Sequence, residues 1–372
     1  MRAQLSHHLI LNPKILLNYP DASAQNMKSL LLSKYNHLEI TDTPKPSPAP
    51  DEVLIEVAAC GICGSDVHGF DGSTGRRIPP LVMGHEAAGR IAALGSSVST
   101  FKVGERVTFD STVFCGECPN CRRGDINLCD NRQVLGVSCG DYRRSGAFAE
   151  YVVVPSRIVH RLPDNLPFAE AAMLEATAVA LHAVKITPID HGETALVVGA
   201  GMIGLLILQS LRATGTNRVF VADVDDSRLK MAKDLGATEV LNSKSNLAAQ
   251  VLKFTNGNGV DAVLEAVGRT ETIADSIDSV RKGGAVTLVG NFAPEVKIHL
   301  QKVVSRQIRL QGSCASSGEY PQAIEFLASG AIKVKPLITK VAPLEDGPAW
   351  FDRLHTGEPG LLKVVLTPGK GA

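Results

Sequence analysis

The sequence carries no net charge. Its 38 basic and 38 acidic residues cancel, which excludes the broad field of one sign that binding to nucleic acid or a membrane surface draws on. No uninterrupted apolar stretch is long enough to span a bilayer. A convincing export signal is also missing. Arg2 and the run Ala22-Ser23-Ala24 hint at one, but Asn12, Pro13 and Lys14 cut the apolar centre. The expectation is an N-terminal extension over 1–26, a fresh start at Met27, and a cytoplasmic protein whose cysteines stay reduced. Aromatic residues are few, at 5%, while glycine is plentiful at 34, a mix that suits an α/β protein with tight turns and closely packed helices. A length of 372 residues, 44% of them hydrophobic and 20% charged, predicts an ordinary globular protein of two domains.

Cysteine is scarce too, yet four of the eight fall in one short stretch, CGECPNCRRGDINLC, as Cys115, Cys118, Cys121 and Cys129. In a reducing compartment two disulfides do not explain them. Four thiolates gathered by the turn residues Gly116, Pro119, Asn120 and Gly124 suit a tetrahedral Zn2+ or an iron–sulfur cluster. The run lacks the Cys-Pro that follows in ferredoxin-like motifs, and a site filled by four protein ligands is structural. Cys60, Cys139 and Cys314 read as small buried side chains.

A second candidate site is open. The alternating strand DEVLIEVAA, with Val53, Ile55 and Val57 on one face, leads into Cys63, and GHE places His85 beside Glu86. Alone, such a cysteine is a core residue and such a pair a surface turn. Together with a carboxylate they make three ligands and one vacant position, as a catalytic zinc requires.

Further along, ETALVVGAGMIGLLILQSLRATG runs from a short buried strand through Gly199, Gly201 and Gly204 into an apolar helix opened by Met202 and Ile203. The spacing is that of a dinucleotide fingerprint, with the helix N-terminus facing the phosphates. A second strand ends at Asp223, placed to accept hydrogen bonds from the adenosine ribose and to disfavour a 2′-phosphate, so NAD is expected over NADP. Arg228, close by, would either soften that preference or cover the adenine face. Strands EVLN, GVDAVLEAVG and AVTLVG then alternate with helices NLAAQVLKFTN and TETIADSIDSVRKGG, which predicts a doubly wound parallel sheet. The strand ends at Val267 and Val289 and the turns after them, 266–269 and 290–292, should face the nicotinamide.

Cys63-Gly64-Ser65-Asp66-Val67-His68, Gly84-His85-Glu86, the four-cysteine loop, Glu175 and the Gly199 fingerprint occur in one order. In this the chain resembles the zinc-dependent medium-chain dehydrogenase/reductase family from about Met27 to its end. The resemblance implies a β-rich GroES-like catalytic domain over 27–178, a Rossmann NAD-binding domain over 179–315 and a catalytic return segment over 316–372. It implies two zinc ions per subunit and a homo-oligomer, tetramer or dimer. The catalytic zinc would be held by Cys63 and His85, with Glu86 and Glu175 as ligands directly or through water. Glu175 stands where alcohol dehydrogenases carry cysteine and where polyol and threonine dehydrogenases carry glutamate, although those relatives read Glu-Pro rather than Glu175-Ala176.

The chemistry expected is zinc-assisted ionisation of a secondary alcohol and hydride transfer to NAD+. Ser65 would accept the alcohol proton, His68 would pass it to solvent, and Asp66 would orient His85. Phe70, Phe148 and Glu175 are candidate walls of the substrate pocket. The implied substrate is a polyol of the sorbitol, L-iditol or galactitol type. Threonine 3-dehydrogenase and 2,3-butanediol dehydrogenase are the alternatives within the family, and a zinc- and NAD-binding redox sensor without turnover the alternative outside it.

Overall fold

The structure is a computed structural model and describes residues 25–139 and 142–369. Most of the expected N-terminal extension, 1–24, lies outside the described residues. Two large sheets organise the chain. The first is a mixed seven-stranded sheet in the order Val159–Arg161, Arg106–Phe109, Glu86–Leu94, Glu52–Gly61, Lys363–Thr367, Ile338–Pro343, with Tyr151–Pro155 also paired to Glu52–Gly61. The alternation read at Val53, Ile55 and Val57 is real, and all three point into the core. A close approach in the middle of this sheet requires Gly89, where a Cβ would meet the Glu56 carbonyl oxygen at 2.0 Å.

The second sheet is six-stranded and parallel throughout, in the order Glu239–Asn242, Arg218–Asp223, Thr194–Val198, Val260–Glu265, Val280–Leu288, Arg309–Gly312. The order reverses at Thr194–Val198, the strand that carries the glycine fingerprint, so the crevice at its carboxyl end is where a ligand is expected.

Two boundaries differ from the sequence reading. The helix expected through Gly284 is Thr270–Ser279, and Val280 already begins a strand. Val280 pairs with Val260, both fully buried, and the register slips before Ala262 pairs with Ala285, so residues 281–283 bulge outward. The expected division at 178 falls inside the helix Leu174–Ile186, which packs against both the fingerprint helix Met202–Ala213 and Tyr320–Ser329.

The C-terminal return is anchored by aromatic packing. Phe351, in the helix Gly347–His355, is fully buried, meets Phe148 edge-on at 5.7 Å and lies 6.0 Å from Phe70. Phe70 and Phe148, expected as pocket walls, lie in the core, where their rings pack around Phe351. Phe351→Ala is expected to cost about 3–5 kcal/mol of stability, read by denaturant unfolding, with the strand Lys363–Thr367 the first to lose amide protection.

Candidate active site

Backbone register builds the open site. Gly61 pairs with Glu86 across neighbouring strands, which sets Cys63, two residues past the strand end, beside His85. Cys63 caps the helix Gly64–Phe70, and its sulfur accepts the Ser65 N–H at 3.4 Å. Donor atoms of Cys63, His85 and Glu86 lie within 4.8 Å of one another. His85 and Glu86 are buried and Cys63 is partly open.

The electrostatics favour a cation here. Burial acts to lower the His85 pKa, but Asp66 and Cys63 on either side outweigh it and drive the ring well above its ordinary value. His85 Nδ1 is buried 3.4 Å from Asp66 Oδ1 without a hydrogen bond, so the contact is electrostatic and Nε2 is the nitrogen that could hold a metal. Soft sulfur, imidazole and carboxylate fit zinc, which in this set is left with an open position.

Two buried cations balance the acids, and the sequence reading missed both. Lys363 Nζ donates to Glu86 Oε2 at 2.6 Å and to the Ile62 carbonyl at 3.0 Å, with only 3% of the residue exposed. Burial pulls its pKa down, but Glu86 and Cys63 push it further up. One Glu86 oxygen is thereby committed to Lys363. Arg77 donates from Nε (3.1 Å) and Nη2 (2.8 Å) to Asp66 Oδ1, and from Nη2 to Ser65 Oγ at 3.0 Å. Burial would raise the Asp66 carboxyl, but His85 and Arg77 hold it well below the carboxylate range. Lys363 left one trace in the sequence, a lone charge in the apolar run LLKVVL.

Glu175 stands apart from the three tight donors. Its Oε1 accepts from Ser111 Oγ at 3.4 Å, and burial raises its pKa while His85 opposes. Neighbouring Asp110 is pushed up to about 7 by burial, against the Thr112 N–H that it accepts at 2.8 Å. Ser65 and His68 are exposed on the same helix. The Ser65 hydroxyl donates to Cys63 Sγ at 3.2 Å, and the His68 ring packs edge-on to Phe292 at 5.5 Å. Phe292 follows the strand Val280–Leu288, so this contact sets the open site beside the carboxyl edge of the parallel sheet.

At that edge Gly199 has φ +98°, and a Cβ on Gly204 would lie 1.7 Å from the Gly199 carbonyl oxygen. A Cβ at Gly201 would meet nothing, which leaves the uncapped start of Met202–Ala213 open to a phosphate. Met202 and Ile203 are half-buried in its first turn. Asp223 Oδ2 accepts from Ala200 N at 2.6 Å, so the residue expected at the ribose also braces the turn. Arg228 is half-buried, and its N–H donates to Asp225. Val267 packs on Gly199, and Val289 N donates to the Glu265 carbonyl. Glu265, fully buried and unforeseen, accepts from the N–H groups of Val267 and Gly268 and shapes this edge.

The four cysteines also converge, with all four sulfurs within 4.8 Å of one another. Backbone N–H groups of Cys115, Cys118 and Cys121 donate to the sulfurs of Cys129, Cys115 and Cys118. Amide donors at Glu117 and Cys118 lower the Cys115 thiol to about 6, whereas desolvation among its neighbours raises Cys121 to about 12. Four sulfurs this close could hold one cation as thiolates. The loop is tied to the crossover from the parallel sheet. Asn127 Nδ2 donates to the Cys314 carbonyl at 2.7 Å, and Ser317 Oγ donates to the Gly124 carbonyl at 2.7 Å. Asn127 also meets His182, whose Nδ1 lies 3.1 Å from Glu319. Of the remaining cysteines, Cys60 is buried as expected, but Cys314 is exposed because it sits on this crossover, where Arg132 reaches its sulfur at 3.0 Å.

Comparison with known proteins gives two family matches: the alcohol dehydrogenase GroES-like domain over residues 49–164 and zinc-binding dehydrogenase over 203–329. Sorbitol dehydrogenase of Bacillus subtilis is 36% identical over 351 residues, covering 93% of this chain and 98% of that protein. D-arabitol-phosphate dehydrogenase of Enterococcus avium is 36% identical over 338 residues, covering 89% and 94%. A solved alcohol dehydrogenase from Escherichia coli CFT073, complexed with NADH, superposes with a TM-score of 0.85 at 30% identity, over 92% of this chain and 99% of that one.

Removing one partner of a buried ion pair leaves the other uncompensated. Lys363→Met is expected to destabilise the metal-free protein by about 3–5 kcal/mol, and Lys363→Met with Glu86→Gln to recover most of that loss in thermal unfolding. Equal losses for the single and double variants would show that the pair does not carry the cost.

Proposed function

The chain belongs to the zinc-dependent medium-chain dehydrogenase/reductase family, and from that premise we propose that it oxidises a secondary alcohol of a polyol to a ketose with NAD+. The observation that carries the reading is the three-donor group Cys63, His85 and Glu86, open on one side and lying beside the carboxyl edge of the dinucleotide-binding sheet. The full-length likeness to a sorbitol dehydrogenase and a polyol-phosphate dehydrogenase supports a polyol, and so does a glutamate at 175.

When bound, zinc supplies the positive charge that acidifies a substrate hydroxyl, and NAD supplies the hydride acceptor. Cys63 and His85 are the residues to hold that ion, with the free oxygen of Glu86 as third donor and Glu175 held back by Ser111 as a nearby carboxylate. Asp66 keeps the His85 ring turned so that one nitrogen faces the site. Ser65 has an unused lone pair facing solvent and takes the proton of the substrate hydroxyl; His68, exposed on the same helix face, passes it to water. Asp223 favours NAD over NADP by repelling a 2′-phosphate. The four-cysteine loop holds a second, structural zinc.

Among the described residues no helix is long and apolar enough to cross a membrane, and a cytoplasmic location fits the free thiols. A homo-oligomer is supported by the exposed Leu300 (69%) and Val304 (70%) on the helix Leu300–Ser305, which precedes the edge strand Arg309–Gly312. Light scattering should give a dimer or tetramer that Leu300→Glu with Val304→Glu dissociates.

Steady-state rates of the zinc-loaded protein on sorbitol, iditol, galactitol, threonine and 2,3-butanediol, with NAD+ and NADP+ compared, test the activity. Polyols with NAD+ should give the highest kcat/KM; threonine or butanediol leading instead would replace the substrate assignment. Cys63→Ser should lower kcat by at least about 10³-fold.

A further inference from the structure

Arg77 has no part in the chemistry described so far, yet it is built into the floor of the open site. The residue is only 3% exposed. Its stem runs through a gap that exists because residue 69 is glycine; a Cβ there would lie 2.2 Å from Arg77 Cγ. Its guanidinium is locked by two hydrogen bonds to Asp66 Oδ1, and Asp66 is itself fully buried. The remaining Nη2 contact, 3.0 Å to Ser65 Oγ, is the informative one.

A serine hydroxyl has one proton and two acceptor positions, and an arginine never accepts. Arg77 therefore fixes the direction of the bond on its side, and the Ser65 proton must point away from it. In the structure that proton goes to Cys63 Sγ at 3.2 Å. One acceptor position is filled by Arg77, one faces the crevice, and the hydroxyl rotor is no longer free. We propose that Arg77 is a positioning residue for Ser65: its fork orders the hydroxyl so that a single lone pair meets the incoming alcohol proton while the hydroxyl's own proton is held on the Cys63 sulfur. This rests on the dehydrogenase reading above and adds to it a residue that touches neither metal nor substrate. It also implies that Ser65 surrenders the Cys63 contact when it hands a proton towards His68, since it has only one proton to give.

Arginine and lysine separate the two jobs of the side chain. A lysine at 77 keeps a cation beside Asp66 but loses the planar fork that reaches both acceptors at once, so Arg77→Lys removes the Ser65 contact without stranding a buried carboxylate. In the zinc-loaded enzyme Arg77→Lys is expected to lower kcat roughly 10–100-fold, with KM for NAD+ unchanged and thermal unfolding close to that of the unsubstituted protein. Ser65→Ala should do the same, and the double variant should fall no further than Ser65→Ala alone, within about twofold. In protein loaded with Co2+, Ser65→Ala and Arg77→Lys should shift the sulfur-to-cobalt charge-transfer band in the same direction, with the double variant adding nothing. Multiplicative losses in kcat, or a band that Ser65→Ala moves and Arg77→Lys does not, would overturn the assignment and place the effect of Arg77 on His85 through Asp66. If the unsubstituted protein turned over no alcohol, the functional reading would fail, and the cobalt band would still judge the position of Ser65.

Discussion

Buried negative charge is the constraint on which this site depends. Cys63, Asp66 and Glu86 crowd within reach of one imidazole, with Asp110 and Glu175 close behind. Taking such groups out of water costs several kcal/mol per ion unless opposite charge is supplied nearby. The fold supplies it from two sides. Arg77 neutralises Asp66 and Lys363 neutralises Glu86, each at hydrogen-bonding distance and each almost wholly enclosed. Cys63 and the rest of His85's surroundings keep an excess of negative potential, and a divalent ion is the partner that satisfies it. The behaviour of His85, driven toward protonation against its burial, expresses the same demand.

That balance ties the architecture together. Lys363 belongs to the last strand, which joins the sheet through the pairing of Val365 with Gly61, and Gly61 in turn pairs with Glu86. The C-terminal segment thus reaches the site through sheet register, and its helix is fastened below by Phe351 against Phe148 and Phe70. A pocket that relies on a cation from the far end of the chain is assembled only when the whole sheet has formed.

What could be read from the sequence was whatever is local. The glycine fingerprint, the four cysteines and the Cys63 and His85-Glu86 segments each lie within a few residues, and their spacing carries their geometry. Five strands of the parallel sheet followed from alternation; the edge strand Arg309–Gly312 was not read, and burial of Val280 overrode the helical reading of its neighbours. Arg77, Ser111 and Lys363 were not legible because their partners are distant in the chain or brought close only by the fold, and Glu265 because a lone carboxylate ending an apolar strand gives no sign that it will accept the backbone N–H groups that follow it. Lys363 meets Glu86 across 277 positions, and Ser111 meets Glu175 across 64. Phe148 belongs to the core through an aromatic partner 203 positions later, Phe351, a contact no local pattern marks.

The two cysteine sites differ in where their hydrogen bonds lead, and this bears on their division of labour. The Cys63 sulfur accepts from both the backbone N–H and the hydroxyl of Ser65, and that hydroxyl also accepts from Arg77, so one of the two contacts comes from a side chain that can exchange partners. In the loop the sulfurs are held mainly by backbone amides of the loop itself, which are fixed once its turns form. The loop's outward bonds run from Asn127, Ile126 and Gly124 to Cys314 and Ser317, on the segment by which the chain leaves the parallel sheet. Buried beneath, Glu319 gathers His182 and Lys185; burial would raise its carboxyl, but these partners hold it down at about 2. The closed loop is therefore knitted to the crossover between the two sheets, while the open group is left with one face toward the crevice that crossover spans. Sulfurs held by amides suit the closed loop, whereas the Cys63 sulfur shares the Ser65 hydroxyl, a contact that can turn to another partner.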